Sequence, residues 1–119
     1  MKKTVVIGAS NNPERTSYQA VISLQKKGHE VIPVGIRDGE INGTKIINGK
    51  PTITDVDTVT MYVGPQNQAD WQDYIIGLHP KRVVFNPGAE NPVFEKLLQE
   101  NNIEAIEACT LVMLSIGNY

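Results

Sequence analysis

Thr4-Val5-Val6-Ile7-Gly8-Ala9-Ser10-Asn11-Asn12-Pro13-Glu14-Arg15-Thr16-Ser17 is the stretch that decides the fold of this chain. Its first four residues form a continuous β-prone run that ends at Gly8, which is typical of a strand covered on both faces in a parallel sheet. Apolar residues then recur at helical spacing over 18–24, with Thr16 or Ser17 as the expected N-cap. The stretch therefore predicts a central strand that turns into a helix.

The alternation of strand and helix continues to the end of the chain. The patterns predict further strands at 30–34, 57–63, 82–86 and 103–107 and further helices at 71–78, 92–98 and 110–116, with Asn91 as the expected N-cap of the helix at 92–98. The Asn-Gly pairs at 42–43 and 48–49 suit tight turns, so we expect a small hairpin in the loop before residue 55. Because Pro33 lacks an N–H, the second strand either lies near an edge or has Pro33 at a position where no partner needs a donor. Because parallel strands need crossover helices, we expect one α/β domain over residues 1–119, with a Rossmann-like, doubly wound, mostly parallel five-stranded sheet and helices on both faces.

Composition and charge exclude several classes of protein. The 119 residues are 40% hydrophobic and 20% charged, which favours a packed core over disorder. The net charge is −2 and the Lys and Arg residues are scattered, so we expect no nucleic-acid partner. No apolar stretch reaches the length of a membrane span, and the single cysteine, Cys109, forms no internal disulfide. We therefore expect a cytoplasmic protein without a membrane partner.

The first strand-to-helix turn has the chemistry of a phosphate site. Ligands of doubly wound sheets bind at the carboxyl ends of the strands, and this turn usually lies there. Gly8 permits a sharp turn and a close approach, Ser10, Thr16 and Ser17 supply hydroxyls, and the helix N-terminus supplies free N–H groups. Arg15 adds a charged fork that fits phosphate oxygens. We expect this turn to bind a diphosphate, although the same residues also suit a plain structural turn.

Two departures argue against an ordinary NAD site. The dinucleotide fingerprint G-x-G-x-x-G is not met, since Ser10 and Pro13 stand where its second and third glycines would be. The end of the second strand, 33–37, has no carboxylate for a ribose hydroxyl and ends in Arg37. A cation there suits a phosphate on the adenosine ribose, which favours coenzyme A or NADP over NAD.

Three segments resemble one known family. They are VIGASNNPERTSY at 6–18, GHEVIPV at 28–34 and GEINGTK at 39–45. Together they resemble the stand-alone CoA-binding domain family, which is similar to the N-terminal domain of the succinyl-CoA synthetase α subunit. The resemblance extends over nearly the whole chain. It implies a binding module for coenzyme A or an acyl-CoA, without catalytic machinery of its own, in a carrier, sensor or regulatory role.

The resemblance also implies where the ligand lies. Gly8, Ser10 and 15–17 would surround the diphosphate, Val34 and Arg37 would lie by the adenosine and its 3′-phosphate, and residues 62–64 would line the same cleft. The complete set of expected binding residues is Gly8, Ala9, Ser10, Asn11, Arg15, Thr16, Ser17, Val34, Gly35, Arg37, Tyr62, Val63 and Gly64. The chain departs from the family pattern Pro-Val-Asn-Pro at 33–36, from Trp-x-Gln-x-Gly at 85–88 and from Asp-Arg-Cys at 107–109.

Two other functions remain open from the residues alone. The same loop and fold serve small NAD(P)-binding oxidoreductases and redox sensors, although no hydride-acceptor site is evident in the sequence. Gly35 and Ile36 also fit a protein-interaction module whose nucleotide site has decayed. His29 and His79 are expected to be solvated turn residues rather than metal ligands, so no metal site is expected. The apolar helix at 110–116 is compatible with packing on the sheet or with burial against a second copy, so a homodimer or a partner enzyme stays open.

Overall fold

The computed structural model describes residues 1–119. In chain order its elements are β1 Thr4–Ile7, α1 Thr16–Lys26, β2 Val31–Val34, β3 Glu40–Ile41, β4 Thr44–Lys45, β5 Thr58–Met61, α2 Gln72–Leu78, β6 Arg82–Phe85, α3 Pro92–Glu100, β7 Glu104–Glu107 and α4 Thr110–Ile116. Two 3₁₀ turns, Pro65–Asn67 and Ala69–Trp71, precede α2. None of the helices has the length and hydrophobicity needed to cross a lipid bilayer.

Five strands form one parallel sheet in the order β2-β1-β5-β6-β7. The chain steps from β1 outward to β2 and then returns to the other side of β1 to form β5, so the strand order reverses between β1 and β5. The prediction of an α/β fold is confirmed. Within the five-stranded sheet all neighbouring strands are parallel, whereas a mostly parallel sheet was expected. Pro33 lies in an edge strand, which is one of the two positions expected for it, and the predicted hairpin is formed by β3 and β4 around 42–43.

The side chains of the sheet alternate between two hydrophobic cores. On one face Val6 and Val84 pack with residues of α1 and α4, and on the other Val5 and Phe85 pack with residues of α2 and α3. The Phe85 and Phe94 rings meet edge to face, with centroids 5.8 Å apart. The prediction of helices on both faces is therefore confirmed, and it explains the continuous rather than alternating apolar runs of the strands.

Local boundaries differ from the sequence expectation at α1 and β5. Helix α1 begins at Thr16 but its N-cap is Arg15, and no side chain caps it, so the expectation of Thr16 or Ser17 as N-cap is wrong. Both hydroxyl residues lie inside the first turn. The loop before it is held by its own side chains, since Ser10 Oγ accepts from the N–H of Asn12 and Asn12 Oδ1 accepts from the N–H of Glu14. Strand β5 ends at Met61. Residues 62–64 therefore belong to the loop that follows it.

Tyr119 packs at the amino ends of the strands, on the face of the sheet that α1 and α4 cover. The Tyr119 hydroxyl lies 2.7 Å from the hydroxyl of Thr4 at the start of β1. The guanidinium of Arg82, at the start of β6, stacks 4.4 Å from the centroid of the Tyr119 ring, and His29 meets that ring edge-on at 5.0 Å. These contacts lie at the end of the strands opposite to the turn after β1.

Candidate functional site

A cavity of about 640 Å³ lies at the carboxyl ends of β2, β1 and β5, where the strand order reverses. This is the position at which doubly wound sheets bind ligands, and the volume is in the range of small-molecule sites. The walls come from the loops after those three strands and from the start of α1. The lining residues are Gly8, Ala9, Ser10, Asn11, Asn12, Arg15, Thr16, Ser17, Gly35, Ile36, Arg37, Tyr62, Val63, Asn67 and Trp71.

Helix α1 presents its N-terminus to this cavity with free backbone donors. No oxygen accepts a hydrogen bond from the N–H groups of Thr16, Ser17 or Tyr18, and the first turn contains no acidic residue. By contrast, the N–H groups of Gly8 and Ala9 both donate to the Val34 carbonyl, at 3.0 and 2.9 Å. The anion-binding donors are therefore those of the helix, where the dipole also favours negative charge.

Two arginines make the cavity positive. Arg15 and Arg37 both line it, and neither forms a salt bridge, because the only ion pair in the structure joins Lys81 and Asp57 at 3.8 Å. No lining residue is acidic, and Asp38, which follows Arg37 in sequence, is not part of the wall. In a chain with a net charge of −2, this concentration of unpaired positive charge predicts an anionic ligand.

Two glycines allow the three loops to pack together at the base of the cavity. Gly8 has a φ of 95°, and a Cβ atom on it would lie 3.1 Å from both the Tyr62 carbonyl carbon and a methyl group of Val63. A Cβ atom on Gly35 would lie 2.4 Å from the Ala9 carbonyl oxygen. The loops after β1, β2 and β5 therefore meet without intervening side chains, which leaves the space above them for a ligand.

The Tyr62 phenol forms part of the wall and stays protonated. Its hydroxyl is buried and has no hydrogen-bond partner. Burial, with a smaller contribution from the thiol of Cys109, raises the pKa of Tyr62 well above its usual value. Cys109 is the half-buried N-cap of α4 and does not line the cavity. The Tyr62 side chain is therefore neutral where it lines the cavity.

The structure brings together nearly all of the residues expected from the sequence. All of them line the cavity except Val34, which is fully buried in the core, and Gly64, which lies outside the wall. Sequence reasoning missed Asn12, Ile36, Asn67 and Trp71. Asn12 lies inside the stretch that the sequence analysis had already singled out. Ile36 lies in a loop and is 89% exposed, which is unusual for a large apolar side chain.

Trp71 is the largest of the missed residues. In the sequence, its helical spacing with 74, 75 and 78 predicts a core or dimer contact. In the structure the indole is half-buried against the α2/α3 core. It also meets the Tyr74 ring edge to face, with centroids 5.9 Å apart, and carries the Lys50 ammonium 5.6 Å from its own centroid. Trp71 is the last residue of the 3₁₀ turn before α2, and it also lines the cavity.

Comparison with known proteins agrees with this geometry. A family model described as a CoA binding domain matches residues 2–115. A crystal structure of an uncharacterised protein is 52% identical, with a TM-score of 0.98 over 100% of this chain and 98% of that one. A conserved hypothetical protein from Pyrococcus furiosus is 27% identical, with a TM-score of 0.80 over 94% of this chain and 98% of that one.

More distant structures share the fold. A protein from Thermus thermophilus is 24% identical, with a TM-score of 0.85, and the match covers 99% of this chain and 91% of that one. No curated protein matches the sequence.

Proposed function

Because this chain belongs to the CoA-binding domain family, we propose that it is a binding module for coenzyme A or an acyl-CoA, in a carrier, sensor or regulatory role. The observation that carries the proposal is the cavity at the strand-order reversal, with two unpaired arginines and the open N-terminus of α1. Coenzyme A is a polyanion with a diphosphate and a separate ribose phosphate. Two separate positive centres are what such a ligand requires.

The order of the strand ends gives the ligand a direction. The diphosphate would lie on the free N–H groups of α1 and beside Arg15, above the end of β1. Arg37 follows β2, one strand further toward the edge, and would bind the 3′-phosphate of the adenosine. The exposed Ile36 beside it offers an apolar surface for the adenine ring.

The lining supports binding rather than acid–base or nucleophilic chemistry. It contains no Asp, Glu, His, Cys or Lys, and the phenol of Tyr62 is held neutral by burial. General acid–base catalysis needs a group whose pKa lies near the working pH, and covalent catalysis needs an activated nucleophile. A module that binds and presents its ligand fits this wall better than one that transforms it.

Isothermal titration tests the proposal. We expect coenzyme A to bind, and dephospho-CoA to bind about tenfold more weakly because it lacks the charge-assisted bonds to Arg37. Arg37→Ala should weaken CoA binding by a similar factor and leave dephospho-CoA binding unchanged. Lys96→Ala is the matched control, because Lys96 is an exposed cation on α3, on the opposite face of the sheet from α1.

Other outcomes would redirect the assignment. Binding of NADP with no binding of CoA would favour the oxidoreductase or redox-sensor class. Failure of CoA, dephospho-CoA, NADP and NAD alike at millimolar concentrations would overturn the nucleotide-binding proposal.

A further inference from the structure

The cavity ends part of the way across the sheet. Its lining comes only from the segments that follow β2, β1 and β5, and no residue after β6 or β7 contributes. Since neighbouring strands are about 4.8 Å apart, the cavity spans roughly 10 Å across the strand ends. Coenzyme A is much longer than its nucleotide half, because the pantetheine arm extends beyond the diphosphate. We therefore expect the cavity to accommodate the adenosine and the diphosphate but not the pantetheine arm.

On the α1/α4 face, a buried polar network fills the carboxyl end of β6. The Asn86 amide donates to the Thr60 hydroxyl at 2.7 Å and to the Met61 carbonyl at 2.9 Å, and it accepts from the N–H of Thr110 at 2.9 Å. The Thr60 and Thr110 hydroxyls are also bonded to each other, at 2.8 Å. All three side chains are buried. Displacing them would leave buried polar groups unpaired, so no arm of a ligand passes on this side.

A second buried amide closes the opposite face. Gln68 is fully buried and donates to the carbonyls of Val63 and Ala89, at 2.8 and 2.7 Å. Its side-chain oxygen accepts from the Asn91 amide at 3.0 Å. These bonds tie the loop after β5 to the loop after β6. Both sides of the β6 end are therefore occupied by amides whose hydrogen bonds are satisfied.

The pantetheine arm can therefore leave the cavity only along the wall formed by Val63, Asn67 and Trp71. The Trp71 indole is fixed there by its contacts with Tyr74 and Lys50. The lining of this cavity includes no residue of the loops that follow β6 and β7. A pantetheine arm that starts at the diphosphate therefore crosses the edge of Trp71 and reaches solvent.

From this geometry we infer that the site recognises the nucleotide half of its ligand and leaves the thiol end outside the protein. The ligand class is then coenzyme A and its thioesters irrespective of the acyl group. The inference rests on the proposed function and goes beyond it, since it states which part of the ligand is not recognised. A module of this kind presents a thioester to a partner rather than selecting among thioesters.

Titration with a series of thioesters tests the inference. Acetyl-CoA, benzoyl-CoA and succinyl-CoA should each bind within about threefold of coenzyme A, and adenosine 3′-phosphate 5′-diphosphate should bind within about tenfold. Discrimination above tenfold among the thioesters would overturn the inference. A preference for succinyl-CoA that is lost in Lys50→Ala would overturn it in a specific way, by assigning the acyl carboxylate to Lys50.

A second measurement reports the position of the thiol directly. The thiol of bound coenzyme A should react with a small disulfide reagent at nearly the rate of free coenzyme A, with Cys109→Ser protein used to remove the background. Strong protection of the thiol would contradict an exposed arm. Failure of the proposed function is distinguishable from both results, because then neither coenzyme A nor the nucleotide half binds at all.

Discussion

Gly35 and Ala9 approach so closely that a Cβ atom on Gly35 would lie 2.4 Å from the Ala9 carbonyl oxygen and 3.1 Å from a methyl group of Ile46. This contact joins the end of β2 to the turn after β1, and both residues line the cavity. The chain carries Gly35 where the family pattern has asparagine. In this backbone the position has room for hydrogen only.

Gly35→Ala is expected to push the two loops apart. Overpacking of this kind costs about 1–3 kcal/mol, so the urea midpoint should fall and CoA affinity should fall with it. Gly77→Ala is the matched control, because a Cβ atom on that α2 residue meets nothing within 4 Å and should stabilise the helix by up to about 1 kcal/mol. Equal stability and equal CoA affinity in the two variants would show that the close approach is not a constraint.

Arg15→Ala should weaken CoA binding by about tenfold or more, because a hydrogen bond to a charged group contributes about 1.5–3 kcal/mol. The loss should be similar for dephospho-CoA, since Arg15 would bind the diphosphate and not the 3′-phosphate. Titration calorimetry of both ligands measures this. Lys27→Ala, at the other end of α1, serves as the control and should leave the affinity unchanged. A loss confined to CoA would exchange the roles of Arg15 and Arg37.

Trp71 provides an intrinsic signal for ligand entry. It is the only tryptophan of the chain and lines the cavity. Coenzyme A should therefore produce a saturable change in tryptophan emission. Trp71→Phe should remove the signal but keep the calorimetric affinity within about threefold, because the arm only crosses the ring. An emission spectrum that stays constant while calorimetry shows binding would place the ligand away from the wall at Trp71.

His29 should make stability depend on pH. Its Nδ1 accepts a 2.9 Å hydrogen bond from the Lys2 N–H, which requires a neutral ring. Burial, and then the positive charges of the N-terminus, Lys2 and Arg82, lower the pKa of His29 below 6.5 in the folded state. The unfolded chain therefore binds a proton at His29 more readily than the folded chain does. The contribution of neutral His29 to the free energy of unfolding is complete above about pH 7. It is lost as the pH falls from the pKa of His29 in the unfolded chain through its lower pKa in the folded chain.

Denaturation in urea at about pH 7.5 and about pH 5.5 measures this contribution. His29→Asn keeps an acceptor for Lys2 and removes the titration, so the variant should lose less stability on acidification than the natural chain. Glu95 changes stability in the opposite sense, because burial and the neighbouring Glu107 raise its pKa and favour the folded state at low pH. The measured quantity is therefore the difference between the unchanged protein and His29→Asn in the stability lost on acidification. Equal losses of stability in the two proteins would contradict the role of His29.

Tyr119 should affect stability without affecting binding. Tyr119→Phe loses the bond to Thr4 and should cost about 1 kcal/mol, while Tyr119→Ala also loses the ring stacked on Arg82 and should cost about 3 kcal/mol. Chemical denaturation measures both values. Because these contacts lie at the amino ends of the strands, CoA affinity should remain unchanged. A large loss of affinity in Tyr119→Phe would reveal coupling between the two ends of the sheet.

Patterns that act over a few residues determined the elements of this protein from the sequence alone. The continuous run before Gly8 identified a covered strand, the Asn-Gly pair at 42–43 identified a hairpin, and Asn91 was recognised as the cap of α3, whose side chain accepts from the N–H of Phe94 at 3.1 Å. The turn after β1 with Arg15 and the cation Arg37, all of which line the cavity, were also singled out as candidate binding residues. Each of these signals depends on local backbone preference or on residue type, which the sequence contains directly.

Tertiary structure decided which of these residues meet and where the cavity ends. Val34 was expected beside the ligand but is fully buried, whereas Trp71 was expected in a core or dimer contact and also reaches the cavity. The amides of Gln68 and Asn86, which close the end of β6, gave no signal in the sequence. All of their partners except Val63 lie 21 to 26 residues away, and such contacts depend on strand order and loop packing, which no local pattern specifies.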